Sequence, residues 1–466
     1  MKINFKIAII GMLLAAIVLR LILLVINPIS MFADAIIRYI PQSEQVLQLN
    51  FNFHDLPLLP LLLAFWRILL SGFFLEIMWK ATSFVFFIAI LFLLPKLFKK
   101  FELNNGERII VMALFFFSTW SLLLSTTIMQ DIILTFFVIA LFLAIEEYFE
   151  KQDKKSLAIV VLFTALMCFT KFSSYILLAG FGLYILIKKK EKFLKKKFYL
   201  IFSIFAGVLI TSFWPIKNYF TFGNPFVATK LNKIVLHSFS EYSTFFVQTY
   251  HYFWEFPLWE KVNLAGTLGN LFNLFYIGAL TISILFSILL IISFISYCKK
   301  KKEFIGLFFP ILLFALIYWP FIILWSASDS GRYTFPFWIF FFIFVAKYIS
   351  GIKKRQLKRA CQIVIVLFCI VSVISAFGIS IHMNSLDSQI RDISKKLKQE
   401  NLEKASIISN TEFAACSLKY YLGKPVIFNM SRNVIDPNVK CSGENIFSSK
   451  NFDVFRENNE YRLCRK

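Results

Sequence analysis

Met31-Phe-Ala-Asp-Ala-Ile-Ile-Arg-Tyr-Ile-Pro-Gln-Ser-Glu44, continuing to His54-Asp-Leu-Pro-Leu-Leu-Pro60, is the first polar break in a chain that is otherwise almost all apolar. It follows one long apolar run over residues 1–27 and precedes many more, so Asp34 and Glu44 sit close to a bilayer surface with no lysine nearby. A carboxylate at that depth is costly unless it has a use. Chemistry on a lipid-linked substrate is a use that fits, with Asp34 as the leading candidate for the base.

Composition sets the class. The 466 residues are 58% hydrophobic, include 59 phenylalanines and have a mean hydropathy of +0.71, which excludes a water-soluble globule. Lipid leaves backbone donors and acceptors unsatisfied unless the runs are helices, so the expected fold is an all-α polytopic membrane protein. The formal charge of +23 comes from lysines in short clusters between apolar runs. That is the pattern of cytoplasmic loops, and it argues against a nucleic acid partner. The 7 cysteines show no CxxC and no Cys/His spacing suited to zinc, and the chain has no nucleotide-binding glycine loop. Neither a metal nor a cofactor is required. Cys168, Cys298, Cys361 and Cys369 read as packing residues, whereas Cys416, Cys441 and Cys464 lie in the tail. The sequence leaves open whether Cys441 and Cys464 form a disulfide.

Orientation follows from the lysines. Clusters at residues 96–100, 151–155, 188–197, 298–302 and 353–359 all fall inside if spans lie near 7–27, 78–98, 108–126, 130–149, 156–171, 172–188, 197–217, 270–298, 304–325, 333–350 and 360–382. About eleven crossings result, and the C-terminus is outside. The first run can also be read as a cleaved signal peptide ending at Ala33-Asp-Ala35, but its apolar core is longer than such peptides carry. Residues 56–71 are short, open on two prolines and carry Arg67, so they are expected to lie on the outer leaflet. A twelfth crossing there would reverse everything downstream.

The run 157–187 is broken at Thr170-Lys-Phe-Ser-Ser174 and reads as two short spans. Residues 218–269 form a long outer loop rich in Phe, Tyr and Trp, suited to the headgroup level. The transmembrane domain is thus expected over 1–383, with a first outer loop over 28–77. Over 384–466 the composition turns polar. Residues 389–402 and 411–422 read as helices, and 405–409 and 425–428 as strands, of a small extracytoplasmic α/β domain.

On this topology the ionisable residues collect on the outer face: Asp34, Glu44, His54 and Asp55 in the first loop, Asp131 and Lys171 at the next two turns, Lys217 at the start of the long loop, and Asp329 and Arg332 in the last turn. Cations hold a phosphate, and an acid opposite them takes a proton from an incoming hydroxyl or amine. Plainer uses exist for each. Asp34 and Asp131 can cap the helices that follow them, Lys171, Lys217 and Arg332 can snorkel to headgroups, His54 suits a structural turn, and Glu44, Asp55 and Asp329 suit solvated loops.

The order of motifs is more specific than their chemistry. One helix, a loop with an early Asp, and then His54-Asp-Leu-Pro-Leu-Leu-Pro-Leu61 resembles the start of polytopic glycosyltransferases of the GT-C fold, which include the protein O-mannosyltransferase and aminoarabinose transferase-like families. Gln130-Asp-Ile-Ile-Leu-Thr-Phe-Phe137 is similar to their second acidic motif, and Phe169-Thr-Lys171 to their Thr-Lys turn. Phe213-Trp-Pro-Ile-Lys-Asn-Tyr-Phe-Thr-Phe-Gly-Asn-Pro-Phe226 and Gly331-Arg-Tyr-Thr-Phe-Pro336 resemble two later motifs.

The resemblance spans residues 1–350 and implies an inverting transferase that moves a sugar from a polyprenyl phosphate to an extracytoplasmic glycan, glycolipid or protein. It implies Asp34 as base, Asp131 as a second or site-ordering acid, and Lys171, Lys217 and Arg332 as holders of the donor phosphate. Glu44, His54, Asn218 and Tyr333 would line the site. Ala35 stands where some relatives have a second acid and many have none, Asp55-Leu56 where they have prolines, and Lys217 where Arg is usual. A polysaccharide polymerase or ligase, and a flippase or transporter of lipid-linked sugar, are the alternatives. A transporter should instead place its ionisable groups near mid-bilayer and show related halves.

Overall fold

Apolar runs of this length have one way to satisfy their backbone in lipid, and the chain takes it. The computed structural model describes residues 5–29, 31–32, 34–53, 55–187, 194–223, 225, 285–286, 288–293, 295–296, 330–399, 406–409, 418, 420–422, 444–448, 452–457 and 460–465. In chain order come α1 (Phe5–Ile26), a π-helical turn (Ala35–Tyr39), α2 (Ile40–Leu47), α3 (Leu58–Leu69), α4 (Gly72–Lys100), α5 (Asn105–Phe117), α6 (Thr119–Leu124) and α7 (Asp131–Lys151). There follow α8 (Lys154–Thr170), α9 (Ser173–Ile187), α10 (Leu194–Thr211), α11 (Phe213–Phe222), α12 (Ser330–Ser350) and α13 (Arg355–Gln399).

Among the described residues, α1, α4, α7, the stretch Lys197–Phe222 and α13 are long and apolar enough to cross a membrane, and the chain is a multi-pass membrane protein. Most of the other expected spans correspond to shorter helices, α5 with α6, α8, α9 and α12. The expected span at 304–325, most of that at 270–298 and most of the long outer loop lie outside the described residues. Helix α3 has 12 residues and so reaches only about 18 Å, well short of a hydrocarbon core about 30 Å thick.

One buried arginine explains how α1 joins the bundle. Arg20 is fully buried and donates from Nε to Ser125 Oγ (2.8 Å) and from Nη2 to Ser121 Oγ (2.8 Å) and the Phe116 carbonyl (3.1 Å). Its Nη1 returns to the Ala16 carbonyl, and its guanidinium lies 3.6 Å from the centroid of the Phe87 ring. The break between α5 and α6 at Ser118 interrupts the helical ladder, and Arg20 supplies a donor there. Residues 118–135 are buried throughout, so the irregular backbone between α6 and α7 is tolerated at membrane depth because protein surrounds it.

Pairing sorts the helix ends into two groups. At one end, Asn27 Nδ2 donates to Thr126 Oγ1 (2.8 Å), Lys80 Nζ to the Asn27 carbonyl (2.8 Å) and Ser83 Oγ to the Met129 carbonyl (3.3 Å). The end of α1, the start of α4 and the turn before α7 therefore lie together. At the other end, Lys100 pairs with Glu146 (2.5 Å) and Glu150 (3.0 Å), Lys347 with Glu107 (3.6 Å), and Asn104 bonds Ser350. Asn104 and Glu107 also form a reciprocal capping box that starts α5.

Helix α13 has 45 residues and is about 68 Å long, more than twice the hydrocarbon thickness. Its polar half buries Met383, Leu386, Asp387, Ile390, Ile393, Ser394 and Leu397 at the three- and four-residue spacing of one helical face. The composition change at residue 384 thus falls inside a continuous helix, and of the polar helix expected at 389–402 residues 389–399 are its last quarter. In the tail, β1 (Ser406–Ser409), β2 (Glu444–Ser448), β3 (Phe452–Glu457) and β4 (Glu460–Arg465) form a sheet in the order β1-β4-β3-β2, with β1 parallel to β4 and the other pairs antiparallel. The expected strand at 405–409 is β1, whereas 425–428 lies outside the described residues. Strands β3 and β4 carry a weak two-residue alternation, Phe452-Asp-Val454 and Tyr461-Arg-Leu463, that charge partly hides.

Candidate active site

The first loop leaves α1 at Asn27 and presents Asp34 one residue ahead of the π-helical turn. Such turns widen a helix by one residue and are frequent at functional sites. Asp34 has helical backbone angles (φ −53°, ψ −34°) and makes no side-chain cap bond, so the cap use does not apply. Its Oδ1 instead lies 3.5 Å from Arg38 Nη1, and Arg38 reaches Asp55 Oδ1 at 4.0 Å. Gln42 Nε2 donates to Asp55 Oδ2 (2.7 Å). Arg38 therefore lies between two carboxylates and is itself 53% exposed, while Asp34 is 22% exposed. Glu44 pairs with Arg67 of α3 at 2.6 Å.

Asp131 opens α7 as its first helical residue, with Gln130 in the cap position, so it is no cap either. Lys171, in extended backbone between α8 and α9, donates to Asp131 Oδ1 at 2.6 Å. The acid is 1% exposed and the lysine 15%, which makes this a buried ion pair between two residues that sequence reasoning assigned to separate roles. Next to Lys171, Phe172 packs on a cluster of Val46, Phe53, Leu56, Ala64 and Trp214 that joins the first loop, α3 and α11.

Lys217 sits on α11 one turn after Trp214. Its Nζ donates to the carbonyls of Phe51 (2.6 Å) and Phe53 (2.8 Å) and lies 4.3 Å from the Trp214 ring centroid. The ammonium is turned into the first loop. Asn218 beside it is fully buried. Gly223 then ends α11 at φ +70°, donating to the Tyr219 carbonyl, a left-handed position that suits glycine.

Asp34, Glu44, Asp131, Lys171, Lys217 and Asn218 thus belong to elements linked at one end of the bundle. Arg332 and Tyr333 lie in the first turn of α12, whose side chains there are outside the description, as are His54 and Asp329. Sequence reasoning assigned no site role to Arg38, Arg67 or Lys80. Lys80 is buried on α4, bonded to the Asn27 carbonyl and four residues after Glu76. The spacing of Asp34 to Arg38 and of Glu76 to Lys80 is that of helical neighbours and was the available signal. Among the described residues, no group of His, Cys, Asp and Glu could hold a metal ion.

No family model matches the chain, and no curated protein matches it in sequence. Its fold, however, is found among solved structures. With a TM-score of 0.54 and 10% identity, it superposes on the crystal structure of ArnT from Cupriavidus metallidurans bound to undecaprenyl phosphate, over 91% of this chain and 86% of that one. The chain has the GT-C fold. The apo state of ArnT gives the same TM-score of 0.54 over 90% and 85% of the two chains. A weaker likeness, with a TM-score of 0.45 and 13% identity, is to the Archaeoglobus fulgidus oligosaccharyltransferase, of which this chain spans 63%. The fold is the one that the order of motifs implied.

Proposed function

We propose that this protein is a membrane glycosyltransferase that moves a sugar, with inversion, from a polyprenyl phosphate to an extracytoplasmic acceptor. The observation that carries the reading is the gathering of Asp34 and the cations Lys80, Lys171 and Lys217 at one end of a bundle whose fold is shared with a protein crystallised with undecaprenyl phosphate. Asp34 takes the proton from the acceptor hydroxyl as its oxygen attacks the anomeric carbon. The bond from that carbon to the phosphate oxygen breaks, its electrons stay on the phosphate, and polyprenyl phosphate leaves. Cations at the same end stabilise the charge that develops on the leaving group. Attack from the face opposite the phosphate inverts the anomeric centre.

The pairs divide the work. Arg38 orients the Asp34 carboxylate, Asp131 fixes Lys171, and the carbonyls of Phe51 and Phe53 fix Lys217 at the edge of the loop that carries Asp34. Arg332 joins the phosphate-holding set from the start of α12. The tail sheet and the polar half of α13 stand on the outer side, near the acceptor.

The test is release of free polyprenyl phosphate by protein reconstituted in lipid, offered a panel of polyprenyl-phosphate sugars with a cell-envelope acceptor fraction. Release with one donor is expected, falling at least about a hundredfold in Asp34→Asn. That variant should fold normally, since it keeps the size of the side chain and weakens a pair whose arginine is 53% exposed and which is worth only about 0–1 kcal/mol. Full activity in Asp34→Asn would remove Asp34 from the mechanism, and no release with any donor would count against transfer and make flipping of labelled lipid the next assay.

A further inference from the structure

The polar tail reaches back onto the end of the bundle where these groups gather. Leu418 is fully buried in an apolar cluster that includes Leu23 of α1, Met31 of the first loop, Leu122 of α6, and Leu386 and Ile390 of α13. Met31 lies three residues before Asp34. Two residues beyond Leu418, the Tyr420 hydroxyl donates to Glu76 Oε1 on α4 (2.8 Å). The Tyr421 hydroxyl donates to the buried Asp387 Oδ2 (2.5 Å) and accepts from Arg391 Nε (2.8 Å), while Arg391 also bonds Asp387 at 3.0 Å. The two tyrosine rings meet edge to face, 5.2 Å apart.

This short segment therefore touches the first-loop cluster, the polar half of α13 and the face of α4 that carries Glu76 and Lys80. Burial raises the Tyr420 phenol far above its ordinary value, and the Glu76 carboxylate pushes the same way. The hydroxyl stays a donor at any physiological pH.

We propose that Leu418 and residues 420–422 form a clasp that docks the tail on the site end of the bundle, and that Tyr420 is a positioning residue for transfer. It acts through Glu76 and the Met31–Asp34 loop without touching substrate. The clasp explains why α13 continues past the membrane: its outer half is the rail on which the tail returns. The transfer role rests on the function proposed above, whereas the docking does not.

Full-length protein in lipid nanodiscs provides both tests. Tyr420→Phe removes one hydroxyl and keeps the ring, and Glu76→Leu removes its acceptor; Glu76→Gln keeps an acceptor oxygen. Amide hydrogen exchange over residues 34–47 and 72–82 is expected to quicken several-fold in Tyr420→Phe and Glu76→Leu and to stay near wild type in Glu76→Gln. Unchanged exchange in the first two overturns the clasp, whatever the protein catalyses. In the release assay, Tyr420→Phe is expected to lower kcat about tenfold or more with the donor KM unchanged, the mark of a misplaced acceptor-activating loop. Altered exchange with unchanged kcat overturns the positioning role. If wild-type protein releases nothing from any donor, the transferase reading and the positioning role fall together, and the exchange result still decides the docking.

Discussion

Lys171→Met tests the buried pair on which one side of the site depends. It leaves the Asp131 carboxylate, 1% exposed, without the ammonium that sits 2.6 Å from it. Breaking a buried pair from one side costs about 3–5 kcal/mol, because the remaining charge stays desolvated and uncompensated. Lys171 is 15% exposed, so water can relieve part of the loss, and a value near the lower bound, about 3 kcal/mol, is expected. Asp131→Leu alone takes the carboxylate from the lysine and should cost a similar amount, whereas Lys171→Met with Asp131→Leu removes both charges and should recover most of it. The four proteins form a double-mutant cycle with an expected coupling energy of about 2 kcal/mol or more. Reversible denaturant unfolding in detergent, followed by tryptophan fluorescence, measures it. A coupling below about 0.5 kcal/mol, or a Lys171→Met protein as stable as wild type, would refute the claim that the two side chains share one buried site.

Three further outcomes follow from packing. Arg20→Lys keeps the charge but loses the fork that reaches Ser121, Ser125 and Phe116, and should destabilise by about 2–4 kcal/mol, read as a lower thermal midpoint and a smaller monodisperse fraction. Gly207→Ala would set a Cβ 2.7 Å from Thr164 Cβ and 2.9 Å from the Val161 carbonyl, where α8 and α10 cross, at a cost of about 1–3 kcal/mol. Gly182→Ala meets nothing within 4 Å and should be neutral or slightly stabilising in the same unfolding measurement.

Much of the fold was legible because lipid constrains it locally. Hydropathy places α1 and α7 within a few residues and marks the apolar parts of α4 and α13, and the break at Thr170-Lys171 separates α8 from α9 as its polarity predicts. What escaped was continuity and charge. Residues 383–399 are amphipathic at helical spacing, so nothing in their backbone asks the last span to stop where the membrane does. Strands β2, β3 and β4 went unseen because charged residues at their positions dilute the alternation.

Position in the site was likewise easier to read than partnership. Asp34, Asp131, Lys171 and Lys217 stand out as costly residues next to apolar runs, and motif order alone implied the GT-C fold. The sequence by itself determined a multi-pass helical membrane protein and nominated the ionisable residues at its helix ends, since both depend on burial and periodicity within a single segment. Only the tertiary structure decided that Lys171 answers Asp131 from 40 residues away, that Arg20 binds Ser125 across 105, and that Tyr420 reaches Glu76 across 344. Such pairings depend on how each helix is rotated and how closely its neighbours approach, and that is fixed by packing among elements far apart in the chain.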